Sequence, residues 1–266
     1  MAEVTAAMVK ALREETSQGM MECRKALVEA NGDIQVAKDL LRKRGMVTAE
    51  KKASRTASEG LVAILSTSDR TSAAMVEVRC ETDFCARNDV FRAMTANVVK
   101  LALEGPAGQV AASQAIKDQV QSALAKIGEN MNFARGIKIS APKIGAYLHH
   151  NNKVGVLVGI EGELDDAILN DICMHIAFTD PMGLTTDDIP ADLVEHEKRL
   201  AKEQAMEAGK PPEIAEKMTT GKVRKFLEAN ALLEQPFVKD DKKKVKEILG
   251  AAKITAFARY QVGQAS

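Results

Sequence analysis

Two cysteines, two arginines and three carboxylates crowd into Glu77-Val78-Arg79-Cys80-Glu81-Thr82-Asp83-Phe84-Cys85-Ala86-Arg87. Thiol chemistry is the first reading to test. A nucleophilic cysteine needs a base or a positive field to lower its pKa. Arg79 and Arg87 stand near, but Glu81 and Asp83 act in the opposite sense. Cys23, Cys80, Cys85 and Cys173 form no Cys-x-x-Cys and no disulfide framework. His149, His150, His175 and His196 are scattered, with no His-Glu-x-x-His helix to hold zinc. The nearest approach to a phosphate loop, Thr219-Thr220-Gly221-Lys222-Val223, lacks the first glycine and the hydroxyl after lysine. No set of residues suits covalent catalysis, so neither bond chemistry nor a cofactor is expected.

What the stretch offers instead is an aromatic. Ala74 to Cys80 alternates like a half-buried strand, and Asp89 to Leu101 places apolar residues at helical spacing. Thr82-Asp83-Phe84 then forms a loop between the two. Turn chemistry calls for Gly, Asn, Asp or Ser rather than a large ring. Phe84 beside Asp83 therefore reads either as an anchor offered to a partner or as a plug folded back into the local core.

The elements around it follow in order. Three short helices open the chain: one capped by Thr5 with Met8, Val9 and Leu12 inward, one carrying Met21, Ala26, Leu27 and Ala30, and one capped by Asp33 and ending at Gly45. Ser17-Gln18-Gly19 breaks the first, and Asn31-Gly32 supplies a left-handed stop to the second. Residues 1–45 make this module and 46–59 a basic linker with Lys51, Lys52 and Arg55, either a solvated connector or a contact for an acidic surface.

A faint repeat organises the rest. Gly60–Leu65, a turn at Ser68-Asp69-Arg70, strand Ala74–Cys80, a helix and a closing Phe133-Ala134-Arg135 make one unit, residues 60–140. Gly145–His149, a turn at Asn151-Asn152-Lys153, strand Val154–Ile160, helix Ala167–Phe178 and a closing Phe257-Ala258-Arg259 make the second, residues 141–266. The expected class is α+β, with helices packed on antiparallel sheets. The second unit carries an insertion at about 188–230 that reads as a helical hairpin turning at Gly209-Lys210-Pro211-Pro212, with a break at Thr219-Thr220-Gly221. It is too thin to bury its apolar stripe, so it rests on another chain or projects as an arm.

Composition narrows the classes. Lys plus Arg equals Asp plus Glu at 37 each, so no basic field marks nucleic acid as the main partner. Apolar runs such as Val154–Val158 are too short for a membrane, and the start lacks a signal-peptide pattern. Hydrophobic content is 45% with only 3% aromatic and no tryptophan, which predicts an aliphatic core. A soluble, cytoplasmic protein with reduced thiols is expected.

Leu12-Arg13-x-x-Thr16-x-x-Gly19-Met20-Met21-Glu22-Cys23-Arg24-Lys25-Ala26-Leu27 and Glu77 to Phe84 resemble the two signature stretches of bacterial elongation factor Ts. Asn31-Gly32-Asp33, Lys126-Ile127-Gly128-Glu129-Asn130, His175-Ile176-Ala177, Gly209-Lys210-Pro211, Ile214–Met218 and Gln235-Pro236-Phe237-Val238 match it in the same order. The resemblance implies a ubiquitin-associated-like three-helix module, two related core subdomains and a coiled-coil hairpin. It implies a guanine-nucleotide exchange factor for elongation factor Tu. In that role Thr82, Asp83 and Phe84 would enter the partner near its Mg²⁺ and switch region, and Arg24, Lys25, Ile127, Gly128 and His149 would make further contacts. A homodimer of the heterodimer is one arrangement left open. Arg79, Cys85 and Arg24 stand where the family usually has Asn, Val and Lys, and its C-terminal helix has no counterpart up to Ser266. The alternative is a translation-associated adaptor that binds a partner helix or RNA without exchange activity.

Overall fold

A computed structural model describes residues 4–16, 18–52, 54–209 and 211–264. Ser17, Ala53 and Lys210, and the side chains of Lys51 and Lys52, on which parts of the helix break, the linker and the hairpin turn were placed, lie outside the described residues.

Helices α1 (Ala6–Thr16), α2 (Met20–Glu29) and α3 (Ile34–Lys52) enclose a small cluster of Val9, Leu12, Cys23, Ala26, Leu27, Ala37 and Leu41. The caps form as expected: Met8 N–H donates to Thr5 Oγ1 at 3.2 Å, and Asp33 Oδ1 accepts from Gln35 and Val36 N–H at 2.8 and 3.0 Å. Asn31 and Gly32 adopt φ of 50° and 86°, closing α2. Two expectations are corrected. Helix α3 runs through Gly45 to Lys52, so the first half of the expected linker is helical. Met21 points outward, 62% exposed, and Cys23 fills the inward position. A thiol is as good a core filler as a small aliphatic side chain.

The first sheet is ordered β1-β2-β4-β3, from β1 (Glu59–Ser66), β2 (Ser72–Cys80), β3 (Gly108–Gln109) and β4 (Met131–Ser140). Helices α4 (Asp83–Arg87), α5 (Asp89–Glu104) and α6 (Gln114–Ile127) join them. The second sheet is ordered β5-β6-β9, from β5 (Lys143–Leu148), β6 (Val154–Glu161) and β9 (Lys253–Gln261). Between β6 and β9 come α7 (Asp166–Thr179), α8 (Ala191–Glu207), α9 (Pro212–Asn230), the hairpin β7 (Pro236–Phe237) and β8 (Asp240–Lys244), and α10 (Val245–Leu249). In both sheets the second strand of a hairpin pairs with the strand carrying Phe-Ala-Arg, with Val78 opposite Phe133 and Val158 opposite Phe257.

The two sheets pack face to face. Strand β2 is buried on both faces rather than half-buried: Ala74, Val76, Val78 and Cys80 pack with α5 and α6, while Ala73 and Met75 meet Ile144, Leu157, Ala258 and Tyr260. The second sheet's outer face, Val156, Val158 and Ile160, packs with Ile172 and Ile176 of α7. The layers are therefore helix, sheet, sheet, helix, an α+β architecture. Gly155 permits the close sheet contact, since a Cβ there would lie 2.6 Å from Val62 Cγ1.

Helices α8 and α9 form an antiparallel pair whose seam is small: Ala201, Ala205, Ala215 and Thr219 are buried. Leu200, Met206, Ile214 and Met218 stay exposed. Helix α9 shows no break at Thr219-Thr220-Gly221, because Gly221 faces open space and a single glycine costs a helix only about 1 kcal/mol.

Candidate functional site

Strand β2 ends at Cys80, and Thr82 begins α4 as its N-cap, accepting the Cys85 N–H on Oγ1 at 3.1 Å. The expected loop is thus the first turn of a short helix. Phe84 lies in that turn with 79% of its surface exposed, which excludes the folded-back plug. Asp83 pairs with Arg87 one turn on, at 3.0 Å, in a solvated contact. Beneath the turn, Cys80 and Cys85 are buried, and Cys80 Sγ–H donates to Thr82 O at 3.2 Å. The neighbouring Cys80 and then burial push the Cys85 thiol far above the ordinary thiol range, the reverse of what a nucleophile needs.

The turn is clasped from the side by the segment after α6. Thr82 N–H donates to Glu129 Oε2 at 3.1 Å, and its hydroxyl donates to Glu129 Oε1 at 2.9 Å. In return Asn130 N–H donates to Glu81 Oε1 at 2.5 Å. Gly128, at φ 84°, is the left-handed cap of α6 that turns the chain toward Glu129, and Ile127 packs on the core under α6. Glu129, the residue after Gly128, thereby ties the segment that follows Ile127 to Thr82, the residue before Asp83 and Phe84.

His149 sits in the turn between β5 and β6, its Nδ1 2.8 Å from Tyr147 Oη and its ring 4.2 Å from that of His150. That turn leans on the start of β1: Val62 N–H donates to Asn152 O at 2.8 Å, and Lys153 Nζ reaches Gly60 O at 3.0 Å. Glu59 and Gly60 pair with Cys80 and Arg79, so His149 lies toward the end of the sheet from which Thr82 emerges.

Arg24 and Lys25 stand on α2, with Lys25 paired to Glu22 at 3.0 Å, and are held on a different element from Phe84. With Met21, Val28, Glu29 and Arg44 they line a shallow hollow. Sequence reasoning missed the apolar part of that surface: Met20, Met21 and Val28 are 55%, 62% and 53% exposed. It also missed Phe178, at the end of α7 and 79% exposed. No short-range signal marked the methionines, since neighbours on α2 can both be buried, as Ala26 and Leu27 are. The three-helix cluster touches the first sheet's helices through α3 and α6, and Gln18 Nε2 donates to Ala125 O at 3.0 Å.

Among the described residues no group of three or more His, Cys, Asp or Glu is placed to hold a metal ion. No described helix is long and apolar enough to cross a membrane.

Fold and site together define an α+β protein of two face-to-face antiparallel sheets, with an exposed phenylalanine on a capped, clasped helix turn. The family model described as Elongation factor TS matches residues 81–264. Over 274 residues, 99% of this chain and 93% of the relative, it is 45% identical to elongation factor Ts of Thiobacillus denitrificans. It is 42% identical to that of Thioalkalivibrio sulfidiphilus over 98% of this chain and 92% of the relative. It is 44% identical to that of Bartonella bacilliformis over 98% and 93%. The chain belongs to the elongation factor Ts family.

Proposed function

We propose that this chain is a guanine-nucleotide exchange factor for elongation factor Tu, acting by binding and conformational change without bond chemistry. The carrying observation is Phe84, exposed on a turn whose backbone and cap are held by Glu129. An exchange factor must bind the nucleotide-free GTPase better than the nucleotide-bound form, and by linkage the nucleotide then loses affinity by the same factor. Burying Phe84 in a partner pocket is worth roughly 1.5–3 kcal/mol, about one to two decades in equilibrium. Expelling a tightly held nucleotide needs more. The balance would come from displacing the partner's Mg²⁺, whose octahedral shell bridges the phosphates, and from disturbing the switch segments that depend on it.

Thr82, Asp83 and Phe84 are the residues read as entering the partner. Ile127 and Gly128 would line the same contact beside them, with His149 further along that end of the sheet. Arg24 and Lys25, flanked by Met20 and Met21, would form a second contact, and exposed apolar surface ringed by charge suits that role. The three N-terminal helices are read as a ubiquitin-associated-like module, the two sheets as related subdomains at 60–140 and 141–266, and α8 with α9 as a coiled-coil arm.

Release of a fluorescent GDP from elongation factor Tu, followed with and without this protein, tests the proposal. Strong acceleration supports it. A stable complex without acceleration would favour the adaptor instead.

A further inference from the structure

We propose that Glu129 is the positioning residue of the Phe84 turn, setting the direction in which that ring is offered to the partner. The inference rests on the reading of Phe84 as the group that enters the GTPase.

Helix α4 has five residues, Asp83–Arg87, too few to hold a conformation by its own hydrogen bonds. What orients it is its cap, and Glu129 controls the cap. A threonine hydroxyl has one proton and two acceptor sites. Glu129 takes the proton, at 2.9 Å from Oε1 and 3.1 Å from Oε2, so the hydroxyl turns an acceptor site toward Cys85 N–H, at 3.1 Å. The same carboxylate accepts the Thr82 backbone N–H at 3.1 Å. One ionised group thereby fixes both the peptide entering the helix and the rotamer that starts it.

The clasp is reciprocal. Glu81, one residue before Thr82, accepts the N–H of Asn130, one residue after Glu129, at 2.5 Å. Asn130 is 6% exposed, and its Nδ2 donates to Arg55 O at 2.7 Å while Arg55 pairs with Glu81 at 3.5 Å. Each segment's carboxylate thus holds the other's backbone. The Phe84 ring, 79% exposed, carries no hydrogen-bonding atom of its own, so the direction in which it is offered depends on this support.

A glutamine keeps the size of Glu129 but offers one acceptor oxygen and an NH₂ donor where two Thr82 donors converge. Glu129→Gln therefore loosens the turn without removing a surface the partner touches. The test is a double-mutant cycle on GDP release from elongation factor Tu, with Glu129→Gln, Phe84→Ala and the double variant at saturating factor. Affinity for the GDP-bound partner and the thermal midpoint are measured alongside. Glu129→Gln is expected to slow release about tenfold, the scale of a lost charge-assisted hydrogen bond, while the affinity changes less than about threefold. In the Phe84→Ala background it should add nothing.

An additive loss, or slowing by Glu129→Gln when Phe84→Ala has no effect, would overturn the proposal, because Glu129 would then act by another route. If Phe84→Ala slows release and Glu129→Gln does not, Phe84 stands as the entering group and the positioning role fails. Should Glu129→Gln not fold, Glu129→Asp, which keeps the carboxylate but draws it back from Thr82 by one methylene, completes the same cycle with the same expected non-additivity and the same overturning result.

Discussion

Glu77 and Arg135 face each other across β2 and β4 and close an ion pair of 2.7 Å around a carboxylate with no solvent exposure. The other oxygen of Glu77 takes Arg79 Nε at 2.6 Å and the N–H of Gly263 at 3.1 Å. Arg135 also lies over the ring of Tyr260, 4.3 Å from its centre. One buried charge thus joins β2, β4, the end of β9 and the segment after it, with its acceptor sites used.

Removing that carboxylate leaves two guanidinium groups crowded at a buried position. Glu77→Ala is expected to destabilise the fold by about 3–5 kcal/mol, as for the loss of one partner of a buried ion pair. Urea unfolding would show it as a lower midpoint with an unchanged slope.

The sheet interface makes a second prediction. A side chain at Gly155 would begin 2.6 Å from Val62 Cγ1 and 2.9 Å from Met75 Sδ. Gly155→Val should cost about 1–3 kcal/mol or more through overpacking, read as a fall in the thermal midpoint. Val62→Ala in the same chain should recover part of it by vacating the contact.

Stability should fall at both ends of the pH scale. Burial lowers the pKa of His175, whose Nδ1 accepts Val238 N–H at 3.2 Å and whose Nε2 lies 2.9 Å from Gln235 Oε1. That pattern fits a neutral ring with its proton on Nε2. The folded state binds fewer protons there than the unfolded one, so stability is present above the ordinary histidine value of 6.5 and lost as pH falls through the folded value. Burial instead raises Cys173 from 9.0 to about 12 and Tyr260 from 10.0 to about 12. Their contributions are complete below the unfolded values and fade as pH climbs toward 12. Denaturant midpoints measured across pH, with His175→Gln flattening the acid limb, would check this.

On α2, reversing two charges should act on encounter more than on residence. Arg24→Glu with Lys25→Glu is expected to slow association with elongation factor Tu at low salt, and the deficit should shrink as salt screens it. Stopped-flow association rates over a salt series would report it.

Much of this was legible locally. Asp33 as a cap and Asn31-Gly32 as a stop rest on short-range chemistry, and each formed; the Phe-Ala-Arg strands that complete the two units were legible through the repeat instead, and each joins its sheet. What escaped was set by distance in the chain. Thr82 and Glu129 are 47 residues apart, so nothing beside either residue announces their bond. Burial of β2 on both faces required knowing that a second sheet lay behind it, which alternation within one strand does not carry. The outward turn of Met21 had the same origin, since residue type favours burial and only the packed cluster shows Cys23 in its place. Phe84 was ambiguous for that reason too, and its 79% exposure decided it.

The most direct test separates what Phe84 does to the partner from what the remaining surface does. Because the ring is exposed, Phe84→Ala should leave stability within about 0.5 kcal/mol of the parent. GDP release from elongation factor Tu and affinity for its nucleotide-free and GDP-bound forms are then measured for both proteins. Acceleration of release and affinity for the nucleotide-free form are predicted to fall together by about one to two decades, in line with burial of one aromatic ring and with linkage, while affinity for the GDP-bound form falls far less. An equal loss of affinity for the two forms would contradict a wedge and reduce Phe84 to an ordinary contact.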